Sequence, residues 1–209
     1  MEHKEIRIYT FGPVEIRQGA DGKKRIVGYA VRWNLLSDPI YGVWRERFER
    51  GAFAQSLIDR QNEIFATWQH QVGDTLGRSP NTLSLREDDN GLIYEIDPPS
   101  WAARHIETIE RGDVRGSSFV FIARVVEYDW DSDPNYVIRT VRKADLYEVA
   151  PVTMPAYPQS TASVRSSEAE VAEYIQAERA RRVQAQRDYL ARQKALRDVS
   201  IQSNIGERI

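Results

Sequence analysis

The sequence predicts a β-rich α+β fold that carries a long C-terminal helix, and three observations lead there. Short β-branched and aromatic runs recur between turn-forming residues as far as Val149. Within that span only 51–60 and 101–111 space their apolar residues as helices do. From 167 to 199 there is neither proline nor glycine, among many Ala, Arg, Gln and Glu residues.

Taken in order, Ile6-Arg7-Ile8-Tyr9-Thr10 and Ile26-Val27-Gly28-Tyr29-Ala30-Val31 read as opening strands, with Gly19-Ala20-Asp21-Gly22 suited to a turn between them. Ala52, Phe53, Leu57 and Ile58 mark the first helix. Ile64-Phe65-Ala66-Thr67-Trp68 then reads as a strand, and His70 follows it at the start of a glycine-bearing loop. Strands over 82–86 and 92–96 flank an acidic loop ending in Asn90-Gly91, the signature of an antiparallel hairpin. Pro98-Pro99-Ser100 stops the second of these and opens the helix over 101–111, which Gly112 terminates. Two further strands, 118–130 and 136–149, are joined by a polar turn in which Pro134 cannot continue a strand.

After Pro151, Pro155 and Pro158 the composition changes, which sets a boundary at 161–166 and separates a domain of residues 1–160 from a helical extension of 161–209. Ser167 and Glu170 fit a capping box, and about 33 helical residues at ~1.5 Å each span roughly 50 Å. Its apolar stripe, Val171, Ile175, Val183 and Leu190, is too thin to bury much surface, so the helix is read as solvated, partner-seeking or removable.

Composition excludes several classes of function. With 29 basic and 31 acidic residues the net charge is −2, so nothing global draws the chain to nucleic acid or to an anionic membrane. No apolar run approaches the roughly 18 residues of a membrane span, and an unexported, soluble protein is expected. The absence of cysteine removes disulfides, thiolate metal sites and cysteine nucleophiles. The three histidines are far apart, and His70 with Asp74 is a weak ligand pair, so neither metal nor cofactor is expected.

Among the histidines, His3 sits at a terminus and His105 lies in the short helix among charged neighbours, whereas His70 projects from the end of a strand as a general base would. An ordinary loop histidine is the plain alternative. Ser117 and Ser118 stand between the turn at Gly112–Gly116 and an apolar strand, where a scaffold can hold a nucleophilic hydroxyl still, or where serines merely begin a strand. This is not the Gly-x-Ser-x-Gly elbow, since no second glycine and no helix follow. Glu148 is a carboxylate in a largely apolar strand end; it suits the acid that orients a base, or a structural partner of Arg139 or Arg142, with Asp113 and Asp145 as further candidates.

In order and spacing, Gly28-Tyr29-Ala30-Val31, Phe48-Glu49-Arg50-Gly51-Ala52-Phe53, His70, Leu76-Gly77-Arg78, Thr82-Leu83-Ser84-Leu85, Gly91-Leu92, the run from Arg111 to Phe119 and the run from Glu148 to Tyr157 resemble the prohead protease family of tailed phages, whose fold is related to the herpesvirus assembly proteases. The resemblance runs from Ile26 to Arg165. It implies a small β-barrel-like core with flanking short helices, and a serine endopeptidase with His70 as base, Ser118 as nucleophile and Glu148 as third member. His105 is the rival for that third place, because herpesviral relatives use a second histidine there. The resemblance further implies action inside the procapsid, in the host cytoplasm, on the scaffolding segment of the major capsid protein and on the chain itself, with self-association as another partner mode.

The chain departs from the family's pattern in two ways: Ala150 stands where serine is common, and no arginine follows between Val149 and Ser160. The oxyanion donor is thus open among backbone N–H groups near Ser118, Arg115 and Arg124. Two rival readings are an inactive scaffold or capsid-assembly protein, separated by whether cleavage depends on Ser118, and a β-rich binding module in which His70, Ser118 and Glu148 lie far apart.

Overall fold

The computed structural model describes residues 4–9, 13–153, 169–185, 187, 188 and 191. The chain divides into two compact units, Met1–Glu168 and Ala169–Ile209. The expected boundary at 161–166 lies outside the described residues. In the second unit 169–185 is helical, and the remainder of the helix expected over 167–199 is described only at 187, 188 and 191.

The first unit runs β1 (Glu5–Tyr9), β2 (Glu15–Gln18), β3 (Lys24–Arg32), β4 (Trp44–Phe48), α1 (Ala54–Asp59), β5 (Phe65–Trp68), β6 (Gln71–Arg78), β7 (Leu83–Glu87), β8 (Gly91–Ile96), α2 (Ala103–Glu110), β9 (Gly116–Asp129) and β10 (Val137–Val152). The strands form two sheets, β2-β3-β8-β7 and β1-β9-β10-β5-β6, with β4 also pairing alongside β10. Both β4 and β5 run parallel to β10 and share its one flank, β4 at Val137–Val141 and β5 at Glu148 and Val149. The small barrel that the resemblance implies is corrected: β1 and β6 end the larger sheet without a ladder between them, and the other four strands form their own sheet, so among the described residues no barrel closes.

The hairpin expected around Asn90-Gly91 is present as β7 and β8, in register from Leu83↔Ile96 to Glu87↔Leu92. The turn at Gly19–Gly22 joins β2 to β3, whereas β1 pairs with β9 in the other sheet. The loop expected after His70 is instead strand β6.

The core sits under β9. Side chains alternate along a strand, so Phe119 and Phe121 point inward and meet Phe48 and Phe53 with ring centroids 5.1 to 5.8 Å apart. Each such aromatic pair contributes about 0.5–1.5 kcal/mol beyond its area. The outward residues of the same strand, Ser118 and Val120, are thereby held on a rigid support.

A second anchor is ionic. Glu5 and Arg7 of β1, Glu46 of β4 and Arg139 of β10 are all buried. Arg7 donates to Glu46 at 2.6 Å and to Glu5 at 2.7 Å, while Arg139 donates to Glu5 at 2.8 Å and also to Glu46. Burial acts to raise the Glu5 carboxyl, but Arg7 and Arg139 outweigh it and hold it below the usual carboxylate range.

Candidate active site

His70 owes its position to a turn. Trp68 ends β5 and is paired with Gln71, which begins β6, so the hairpin reverses on Gln69 and His70 alone. Both have positive φ, 54° and 60°, as a two-residue type I′ turn requires. Asn-Gly is the usual pair there, and a residue with a Cβ is strained by about 1–2 kcal/mol. Hydrogen bonds hold the strained turn to the end of β10: Gln69 N–H donates to the Pro151 carbonyl at 3.2 Å, its side-chain amide donates to Thr153 Oγ1 at 2.7 Å, and Thr153 N–H donates back to Gln69 Oε1 at 3.2 Å.

Glu148 owes its position to a bulge. Leu146 opposes Phe121, yet Glu148 opposes Val120, so Tyr147 is an extra residue in β10. In an unbulged ladder Tyr147 would oppose Val120 and Glu148 would face Phe119 and the core; the bulge shifts the parity by one and turns the carboxylate to the face of Ser118 and Val120.

The two serines are sorted by the same alternation. Ser117 faces inward and hydrogen-bonds Tyr94 Oη at 2.9 Å, and burial there pushes the Tyr94 phenol up. Gly28 makes room for this contact, since a Cβ at residue 28 would lie 2.5 Å from Tyr94 Oη and 2.9 Å from Ser117 Oγ. Ser118 faces outward, opposite Ala150 of β10 and Ile8 of β1.

The three residues singled out in the sequence meet. His70 Nε2 lies 2.5 Å from Ser118 Oγ, and His70 Nδ1 lies 2.9 Å from Glu148 Oε1. Thr67 Oγ1 donates to the same Glu148 oxygen. Ser118 Oγ also lies 2.9 Å from the Arg7 carbonyl oxygen, an acceptor. The binding-module reading, which separates these residues, does not describe this arrangement.

The competing candidates are engaged elsewhere. His105 is buried and stacks on Trp68 with centroids 4.2 Å apart. Asp145 accepts from Arg124 at 2.6 Å, Asp113 pairs with Arg111 at 3.0 Å, and Arg115 Nε donates to the Gly112 carbonyl at 2.7 Å. Arg139 belongs to the buried quartet, and Arg142 pairs with Glu49 and Glu127, so the structural partnership with Glu148 expected of either is not formed. Sequence reasoning missed Thr67, Gln69 and the Arg7 carbonyl. Strand alternation could have raised Thr67; nothing local points to Arg7, which lies 111 positions from Ser118.

Among solved structures, the chain aligns with the bacteriophage T4 capsid assembly protease gp21 at 12% identity and a TM-score of 0.49, covering 73% of this chain and 99% of that one. No curated protein sequence matches it. Residues 13–174 match the family model of the caudovirus prohead serine proteases, and the chain belongs to that family of serine proteases.

Proposed function

We propose that Ser118, His70 and Glu148 are the nucleophile, base and orienting acid of a capsid-maturation endopeptidase. The observation that carries this is the continuous chain of contacts from Ser118 Oγ through the imidazole to Glu148, at 2.5 and 2.9 Å. In the productive state neutral His70 donates Nδ1–H to Glu148 and accepts the Ser118 proton at Nε2 as the hydroxyl attacks a peptide carbonyl. The imidazolium then gives that proton to the leaving amine, an acyl-enzyme remains, and water deprotonated by His70 releases it. Glu148, ionised and held by Thr67, fixes the tautomer and balances the charge that His70 gains.

The substrates in this reading are the scaffolding segment of the major capsid protein and the chain itself, cut inside the procapsid in the host cytoplasm. The support is the prohead class of the family. In the same reading the C-terminal extension engages scaffold or capsid subunits and is trimmed on maturation.

The test is co-expression with the major capsid protein of the same phage, comparing wild type with Ser118→Ala by the intact mass of both proteins. Loss of all processing in a folded mutant is expected; unchanged processing overturns the assignment of Ser118.

A further inference from the structure

We propose that the edge of β9 beside Ser118 is a docking edge for an extended peptide, and that β1 is its displaceable resting occupant, which must leave before substrate can reach the nucleophile. The inference rests on Ser118 being the nucleophile. Ser118 is fully buried, although its oxygen must meet a substrate carbonyl. What covers it on one side is β1, paired to β9 with Ile8 opposite Ser118 and Ile6 opposite Val120.

The contact is inhibitory by its chemistry. Ser118 Oγ carries one proton and has two acceptors in reach, His70 Nε2 at 2.5 Å and the Arg7 carbonyl at 2.9 Å. When the Ser118 hydroxyl donates to the Arg7 carbonyl, it is not aimed at His70, and an electron-rich oxygen stands beside the nucleophile where a substrate carbonyl has to approach.

The attachment of β1 is also built to part. Its inward residues are Glu5 and Arg7, while Ile6 and Ile8 lie on the outer face, Ile8 with 36% of its surface exposed. The strand is therefore held by ladder bonds and ions rather than by apolar burial. Each side of that ionic contact is neutral by itself. Glu5 and Arg7 pair with each other at 2.7 Å and leave together, and Glu46 and Arg139, cross-strand neighbours on β4 and β10, stay paired with each other. Undocking thus strands no unpaired charge, which is the costly outcome for a buried ion network. The family match begins at residue 13, after β1. Once vacated, β9 offers an unpaired strand edge, which extended peptides occupy by strand addition.

The chain has no native cysteine, so a single engineered disulfide tests the idea in the full-length protein. Ile6→Cys with Val120→Cys joins two register partners whose Cβ atoms are about 4.5–5.5 Å apart in antiparallel pairs, close to disulfide reach. The readout is the rate at which a small fluorophosphonate phosphonylates Ser118, the serine oxygen bonding phosphorus as fluoride leaves and the serine proton passing to His70, with the site read by peptide mass. A second full-length variant, Ile6→Gly with Ile8→Gly, loosens β1 without touching the buried quartet.

The oxidised cysteine variant should label at least about tenfold more slowly than the same protein after reduction, and the glycine variant faster than wild type. Equal rates in oxidised and reduced protein overturn the proposal while leaving Ser118 as nucleophile. Failure of every form to label, the glycine variant included, removes the nucleophile assignment and the proposal with it.

Discussion

Glu148 Oε1 has two partners, His70 Nδ1 and the Thr67 hydroxyl, and the second can be removed by a near-isosteric substitution. Thr67→Val keeps the shape and loses a hydrogen bond to a charged acceptor, so kcat on capsid protein should fall about tenfold, with Thr67→Ser recovering most of it. An unchanged kcat would remove Thr67 from the positioning of the acid. Gly28→Ala puts a methyl group 2.5 Å from Tyr94 Oη, and in a packed core this overpacking should cost about 1–3 kcal/mol, read from the urea midpoint. His105 predicts a pH effect. Burial first, and then Arg104, hold its imidazole below the ordinary histidine value against the opposing pull of Asp74. The unfolded chain therefore binds the extra proton first, and stability falls as pH drops below about 6.5 until the folded imidazole titrates as well. His105→Phe keeps the stack on Trp68 and should flatten that acid slope in denaturant titrations. At this scale His70 and Glu148 stand out as reactive residue types in turn-rich or apolar settings, whereas Ser118 is preferred to Ser117 only by the family resemblance. Thr67 and Gln69 carry no such signal, since their roles arise only from what they touch.

Two irregular elements assemble the site, a two-residue turn and a one-residue bulge. Glu148→Gln keeps the bulge but removes the charge that orients His70, and cleavage should fall by roughly 10⁴-fold; activity retained by the folded variant, checked by circular dichroism, would show that another group orients His70. The buried quartet predicts a different loss. Arg139→Met leaves Glu5 and Glu46 to share Arg7, and breaking a buried ion network from one side costs about 3–5 kcal/mol, measurable by urea unfolding. Because Glu5 is held below the ordinary carboxylate range, its contribution is present above about pH 4.5 and is lost as pH falls through the folded value. The strands with clean patterns, β5, β8, β9 and β10, could be read in advance. β4 could not, because Trp44-Arg45-Glu46-Arg47-Phe48 buries a glutamate that looks like a surface residue until Arg7 and Arg139 surround it. β6 could not either, because its exposed first half lacks the alternation that marks a strand.

For the molecule as a whole, a chain ending at Arg165 should retain Ser118-dependent cleavage of capsid protein in solution and lose packaging into procapsids, read by the protease content of purified particles; normal packaging would remove the proposed role of the extension. The residues by themselves determined the strand-rich class, the hairpin at Asn90-Gly91, the break in composition before the helical tail, the family likeness and the three reactive side chains. The first three rest on residue type and short-range periodicity, and the last two on the order and spacing of motifs that carry the family likeness. Tertiary structure alone decided that the strands divide into two open sheets, that a bulge turns Glu148 toward His70, and that the Arg7 carbonyl meets the Ser118 hydroxyl. The physical reason is that a strand has a period of two: a bulge or a slip of one residue changes which face a side chain occupies, and the register is set by partner strands as many as 134 positions away, as Glu5 and Arg139 are.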